Sequence, residues 1–156
     1  MQCSYPPGAK AKELSLEDIH PLEFARQLAL VDHELYRRIR PCEVLHMNWT
    51  KPESKSVKAP NILRMIEQFN RVGQFVISVI LTAHDPSRRL RVLQLLIRIA
   101  YESFQLGNLN GAMAVTSGLR NSNVSRLKNT WVGFVLPLSL RFSSSLTPSL
   151  SSSSSG

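Results

Sequence analysis

Cysteine is nearly absent from this 156-residue chain: Cys3 and Cys42 are too few and too far apart for a disulfide framework or a metal site. The first twelve residues are polar, with no apolar leader, so a reducing compartment, the cytosol, is expected. Aromatic residues make up only 7%, and no Gly-rich, zinc or RNA-binding signature accompanies the formal net charge of +8, which argues against nucleic acid as a partner. Acidic residues stop at Glu102, leaving Arg120, Arg126, Lys128 and Arg141 unopposed in the last third; a charge run of that kind usually marks a solvated face. No apolar run reaches the ~20 residues that a bilayer span needs, because Arg64, Glu67 and Arg71 interrupt the most hydrophobic stretch. His33, His46 and His84 are scattered without metal-ligand spacing, and no nucleophile or cofactor constellation is present. No metal, no cofactor and no conventional enzyme chemistry is expected. Strand-period alternation and internal repeats are also lacking.

Helical periodicity is what the chain does have. The first fifteen residues read as a flexible leader. From Leu16 to Ile39 the pattern is helical, with Pro21 in the first turn and Phe24, Leu28, Val31, Leu35 and Ile39 on one face, opposite Arg26, Asp32, Glu34 and Arg38. Pro41 is expected to end that helix. Cys42 to Pro60 reads as a loop, with Val44, Leu45 and Trp49 turned inward. A long helix opens at about Asn61, carrying Ile62, Met65, Ile66, Phe69, Val72, Val76, Val79 and Ile80, and two of its faces are apolar. Asp85-Pro86 is a helix start, with Leu90, Leu93, Ile97, Ala100, Tyr101 and Phe104 as the inward stripe and Gly107 as the stop. A shorter helix spans Leu109 to Leu119, with Ala112, Met113, Val115 and Thr116 placed for close contact. Asn121 to Asn123 make a turn, and Ser125 to Trp131 begins a last helix. The class is all-α, an irregular helical domain.

Several landmarks lie in collinear order: His20-Pro21-Leu22-Glu23 with Ala25-Arg26-Gln27-Leu28, Leu35-Tyr36-Arg37, Asn48-Trp49-Thr50-Lys51, Ala59-Pro60-Asn61-Ile62, Leu106 to Gly111, Ser117-Gly118-Leu119, and Arg126-Leu127-Lys128 with Thr130-Trp131. Together they resemble the N-terminal portion of the catalytic domain of Ras-type guanine nucleotide exchange factors, the Son of sevenless family. The resemblance implies a regulator that binds a Ras-like small GTPase (Ras, Rap or Ral) and promotes GDP release without breaking a bond. Membrane contact would then be only indirect, through the lipidated GTPase, from a cytoplasmic protein recruited there. Leu16, His20, Arg64, Asn70 and Arg71 are the candidate GTPase contacts. Glu23, Arg26, Asn61, Asn110, Arg126 and Trp131 form a structural signature. Plainer roles stand beside these: packing for Leu16, a solvated helix face for Arg64 and Arg71, and amides bonded to backbone for Asn70 and Asn110.

In the family the helical hairpin that pries open a GTPase switch lies downstream of the Thr-Trp landmark. The expected organisation is therefore a leader over 1–15, a partial exchange-factor domain over 16–131, and a Ser/Leu-rich low-complexity tail over 132–156 that ends in a run of serines and is expected to be disordered. Leu, Ser, Pro and Phe all have pyrimidine-rich codons and valine codons begin with GT, so a retained intron or mispredicted exon is one expected origin of the tail. A form so truncated is expected to be weak or inactive in exchange; the alternative is a non-catalytic module that binds a GTPase or another exchange factor.

Overall fold

Proline 21 decides where the first helix begins. In the computed structural model, which describes residues 15–53 and 55–134, a short 3-10 turn at Leu16–Asp18 is followed by α1 at Pro21–Tyr36. One continuous helix from Leu16 is therefore not what forms. Proline disfavours helical backbone in the residue before it, and His20 is extended at φ −65°, ψ 132°. His20 instead caps α1, its Nδ1 accepting from the Leu22 N–H at 3.3 Å. The inward side of α1 is Ala25, Leu28 and Asp32; Val31, expected inside, is 46% exposed. The helix turns this way because Asp32 has a polar partner in the interior, the Asn108 Nδ2, which donates to its Oδ2 at 2.9 Å.

Pro41 does not terminate α1, which has already ended four residues earlier at the Arg37 cap; it opens a new short helix. The expected loop is largely helical: α2 at Pro41–Val44, a 3-10 segment at Leu45–Thr50 and α3 at Lys55–Lys58. Trp49 is half-buried and Ala59 fully buried, but Val44 and Leu45 face solvent, and the buried polar residues are Glu43 and Asn48. Hydrogen bonding to the Glu43 carboxylate adds to this limited apolar burial in tying the segment down.

α4 runs from Pro60 to Thr82 and α5 from Pro86 to Gln105, the latter capped by the Asp85 carboxylate accepting from the Arg88 N–H at 2.9 Å. α6 spans Leu109–Leu119, with Asn108 Oδ1 accepting from the Gly111 N–H at 3.0 Å. Gly107, at φ +75°, supplies the left-handed turn between α5 and α6 that L-residues resist. The core lies where α1, α4, α5 and α6 meet: Leu28, Val76, Ile80, Leu93, Leu96, Ile99 and Val115 are buried there, each such side chain contributing about 1.5–3 kcal/mol.

The inward stripe of α5 is Val92, Leu93, Leu96, Ile99 and Ser103, rotated from the expected one, and Tyr101 and Phe104 are 53% and 59% exposed. α6 likewise turns Gly111, Ala114, Val115, Gly118 and Leu119 inward and leaves Met113 and Thr116 outside. Where α6 crosses α4, a Cβ on Gly118 would stand 2.7 Å from the Gly73 carbonyl oxygen and 2.7 Å from Val76 Cβ, so only glycine permits the approach.

Asn121 caps α7 at Ser122–Ser125, through its Oδ1 and the Asn123 N–H at 3.0 Å, where a turn was expected. Residues 128–134 are again helical, three residues past the expected boundary at Trp131, and Phe134 packs against the core and edge-on to Trp131 at 6.5 Å. No strand occurs among the described residues, and the fold is all-α. Of the expected leader over 1–15 and the expected tail over 132–156, residues 1–14 and 135–156 lie outside the described residues. No helix among the described residues is long and apolar enough to cross a membrane.

Candidate functional site

The second apolar face of α4 faces open space. Beyond the buried Gly73, Val76 and Ile80, the N-terminal half of α4 carries Ile62, Met65, Ile66 and Phe69 at helical spacing, none of them fully buried. With Ile39 and Asn110 these four line a cavity of about 260 Å³. Phe69 also belongs to a larger cavity of about 950 Å³, walled by Tyr101 and Phe104 of α5 and by Leu109, Met113 and Arg120 at the two ends and outer side of α6. Met65, Leu109 and Asn110 border a third, of about 630 Å³, with Asp32, His33 and Tyr36 of α1. Shared walls make the three one concave, mostly apolar face on α4 and α6, flanked by α1 and α5.

Its exposed members are large: Tyr101, Phe104, Leu109, Met113 and Ile66 are all more than two-fifths accessible. A contiguous exposed apolar surface of this kind marks an interaction site, since isolated exposed leucines are ordinary but a walled cluster is not. Its polar groups are the minority: the Asn110 amide, the Arg120 guanidinium, the Thr116 and Ser117 hydroxyls and, toward α1, His33, Tyr36 and the Asp32–Asn108 pair. Among the described residues no three His, Cys, Asp or Glu side chains gather as metal ligands would. The arrangement suits holding a partner's apolar side chains while a few polar groups set their orientation.

The first turn of α4, where this face begins, is held by Glu43. Its Oε2 accepts from the Asn61 N–H at 2.8 Å and the Ile62 N–H at 3.3 Å; its Oε1 accepts from Asn61 Nδ2 at 2.6 Å and the Arg40 N–H at 3.3 Å. Burial pushes the Glu43 carboxyl up, but the Asn61 side chain and the backbone N–H groups of Asn61, Ile62 and Arg40 outweigh it and hold the group below its ordinary value.

Of the residues singled out in the sequence, only Asn110 borders the concave face directly. Asn61 lies in the first turn of α4 as the partner of Glu43. Arg64, Asn70 and Arg71 are exposed on α4; Arg64 and Arg71 are turned away from the Ile62–Phe69 side, and Arg71 pairs with Glu67 at 2.9 Å. Leu16 packs on the core near Val79 and Val92, roughly 15 Å along α4 from Phe69 at 1.5 Å per residue. Beside it Glu17 bonds Arg88 at 2.8 Å and Arg91 at 3.2 Å, and both hold its carboxyl below the ordinary value. His20 is the exposed cap of α1. Glu23 accepts from Gln27 at 2.8 Å and pairs with Arg26 at 3.6 Å within one exposed helix face. Arg126 is exposed and caps α7 with its backbone, and Trp131 Nε1 donates to the Val124 carbonyl at 3.1 Å.

Sequence reasoning missed Glu43, Tyr101, Phe104 and Met113 as site-forming residues. One signal for the face was available, the double apolar character of α4. Nothing local pointed to Glu43, whose partners lie 18 and 19 residues away.

Residues 23–145 match the RasGEF domain family, a span that runs past Trp131. The chain is similar to Ras guanine nucleotide exchange factor A of Dictyostelium discoideum, 41% identical over 80% of this chain and 20% of that protein. It is 42% identical to Ras guanine nucleotide exchange factor K of the same organism over 77% of this chain and 8% of that protein. To Protein son of sevenless of Drosophila melanogaster it is 33% identical, over 78% of this chain and 8% of that protein. The chain thus spans a fifth or less of the length of these curated relatives.

Proposed function

We propose, from the premise that this chain belongs to the RasGEF domain family, that it binds a Ras-like small GTPase (Ras, Rap or Ral) through the concave face of α4 and α6 and promotes release of GDP. The observation that carries this reading is the walled apolar surface of Phe69, Tyr101, Phe104, Leu109 and Met113, which suits docking. Preferential binding, without any bond broken, can drive exchange by linkage: a factor that prefers the nucleotide-free GTPase lowers nucleotide affinity by the same ratio. Asn110, expected as a structural-signature residue rather than a contact, is set among the apolar walls and is best placed to fix the partner's register. Arg64, Asn70 and Arg71 fit a peripheral role, and Leu16 and His20 a supporting one.

The resemblance assigns the prying step to a helical hairpin downstream of the Thr-Trp landmark. On that basis the 156 residues by themselves bind a GTPase more than they empty it, acting as a weak or inactive releaser. The protein acts in the cytoplasm and reaches membrane through its lipidated partner. Fluorescent-GDP release from Ras, Rap and Ral, measured with this chain and with a version extended by the family's downstream segment, tests both parts. Release by the extended version alone supports the proposal. Release by the 156 residues at the extended version's rate overturns the inactivity, and no binding by either version overturns the function.

A further inference from the structure

We infer that Glu43 is a positioning residue for the GTPase-facing half of α4, an inference that rests on the proposed function for its partner but not for its geometry. The fully buried residues of α4, Gly73, Val76 and Ile80, lie in its C-terminal half; residues 60–72 are at most half-buried. Ile62, Met65, Ile66 and Phe69, which form one wall of the concave face, all lie in that less buried half. Its first turn is fastened by the carboxylate of Glu43, 2% exposed, delivered from α2. The helix has no cap of its own, because Ala59 at the cap position offers no side-chain acceptor and Pro60 has no N–H. The free N–H groups of Asn61 and Ile62 are therefore satisfied by Glu43, and the Leu63 N–H already bonds the Ala59 carbonyl at 3.1 Å.

The charge is essential to this arrangement. Every group facing Glu43 is a donor: two helix N–H groups, the Asn61 amide and the Arg40 N–H, while none of the described ion pairs includes it. A negative charge at a helix N-terminus is favoured by the helix dipole, and an ionised carboxylate accepts at both oxygens. Glutamine has the same shape but brings its own N–H₂, which must point at one of those donors. Glu43→Gln therefore releases the clamp while preserving the packing around it.

The test uses the whole 156-residue chain, unaltered and as Glu43→Gln, beside Ile99→Val, a buried core change outside the lining of the face that lowers overall stability. Loss of a charged hydrogen-bond acceptor predicts about 10- to 100-fold faster amide exchange at Asn61 and Ile62 in Glu43→Gln, and affinity for a nucleotide-free Ras-like GTPase lowered about tenfold. Ile99→Val, with its lowered melting temperature, should leave both the local exchange pattern and the affinity as they were. Unchanged exchange at Asn61 and Ile62 overturns the inference, as does faster exchange with unaltered affinity. If the unaltered chain binds no Ras, Rap or Ral protein, the functional reading falls on its own. Exchange over residues 64–70 then decides the positioning role: a rise in Glu43→Gln upholds it, and no rise ends it.

Discussion

The two sides of α6 differ in side-chain size and exposure. The inner side, Gly111, Ala114, Val115 and Gly118 with Leu119 at its end, is mostly small and closed, its glycine backbone lying close to that of Gly73 on α4. The outer side, Leu109, Met113 and Thr116 with Arg120, is bulky and open. Both are largely apolar. Size, not hydropathy, separates the side that packs from the side left free to receive a partner, since close helix crossing needs small residues and a receptive surface needs long ones.

The sharpest test of that difference compares α5 residues on its two sides. Leu96→Ala removes a fully buried side chain and should cost about 3 kcal/mol in urea unfolding, whereas Phe104→Ala, larger but exposed, should cost a small fraction of that. Next in size is Gly118→Ala: its added methyl meets Gly73 and Val76 at 2.7 Å, so a loss of about 2 kcal/mol is expected, visible as a lowered melting temperature. Met113→Ala reverses the pattern. Stability should hold within about 0.5 kcal/mol while affinity for the GTPase falls by about 1.4 kcal/mol, or tenfold, by titration calorimetry.

Acid probes the clamp at the edge of the face. Because Glu43 is held below its ordinary value of 4.5, its contribution is fully present above that pH and is lost as pH falls through the folded-state value. Glu43→Gln should therefore show a shallower fall of stability with pH below about 4.5 than the unaltered chain. Smallest of all should be Arg71→Ala, which removes an exposed i, i+4 pair and should shift stability by only about 0.3 kcal/mol.

The helices themselves were legible because their signals are local. Asp85-Pro86 and Gly107 mark a start and a stop through the backbone of one or two residues and act where expected, while Pro21 starts α1 five residues after the expected Leu16. Facing was less legible. A stripe such as Leu90, Leu93, Ile97, Tyr101 and Phe104 has the right period, but when a helix is apolar on more than half its circumference the period no longer says which half is covered. Asp32 and Glu43 were invisible for another reason: a buried carboxylate is decided by donors that arrive from elsewhere, Asn108 in one case and the start of α4 in the other. Of the candidate contacts, charged residues drew attention as switch-touching groups, yet the open face is built mainly from residues that look like core.

The long reach of the bonds that fasten the start of the chain bears on how it is made. Glu17 ties to Arg88 and Arg91, 71 and 74 residues on, and Asp32 to Asn108, 76 residues on. At a synthesis rate of about 5–20 residues per second, α1 leaves the ribosome some 4–15 seconds before its polar partners exist. Through that interval Phe24 and Leu28 can already close on α4, where Phe24 stacks on Phe75 at 6.1 Å, but Asp32 stays in water. α1 is thus made well before its full set of partners, and a nascent chain arrested before Asn108 should leave Asp32 unpaired and α1 more open to protease than in the finished fold.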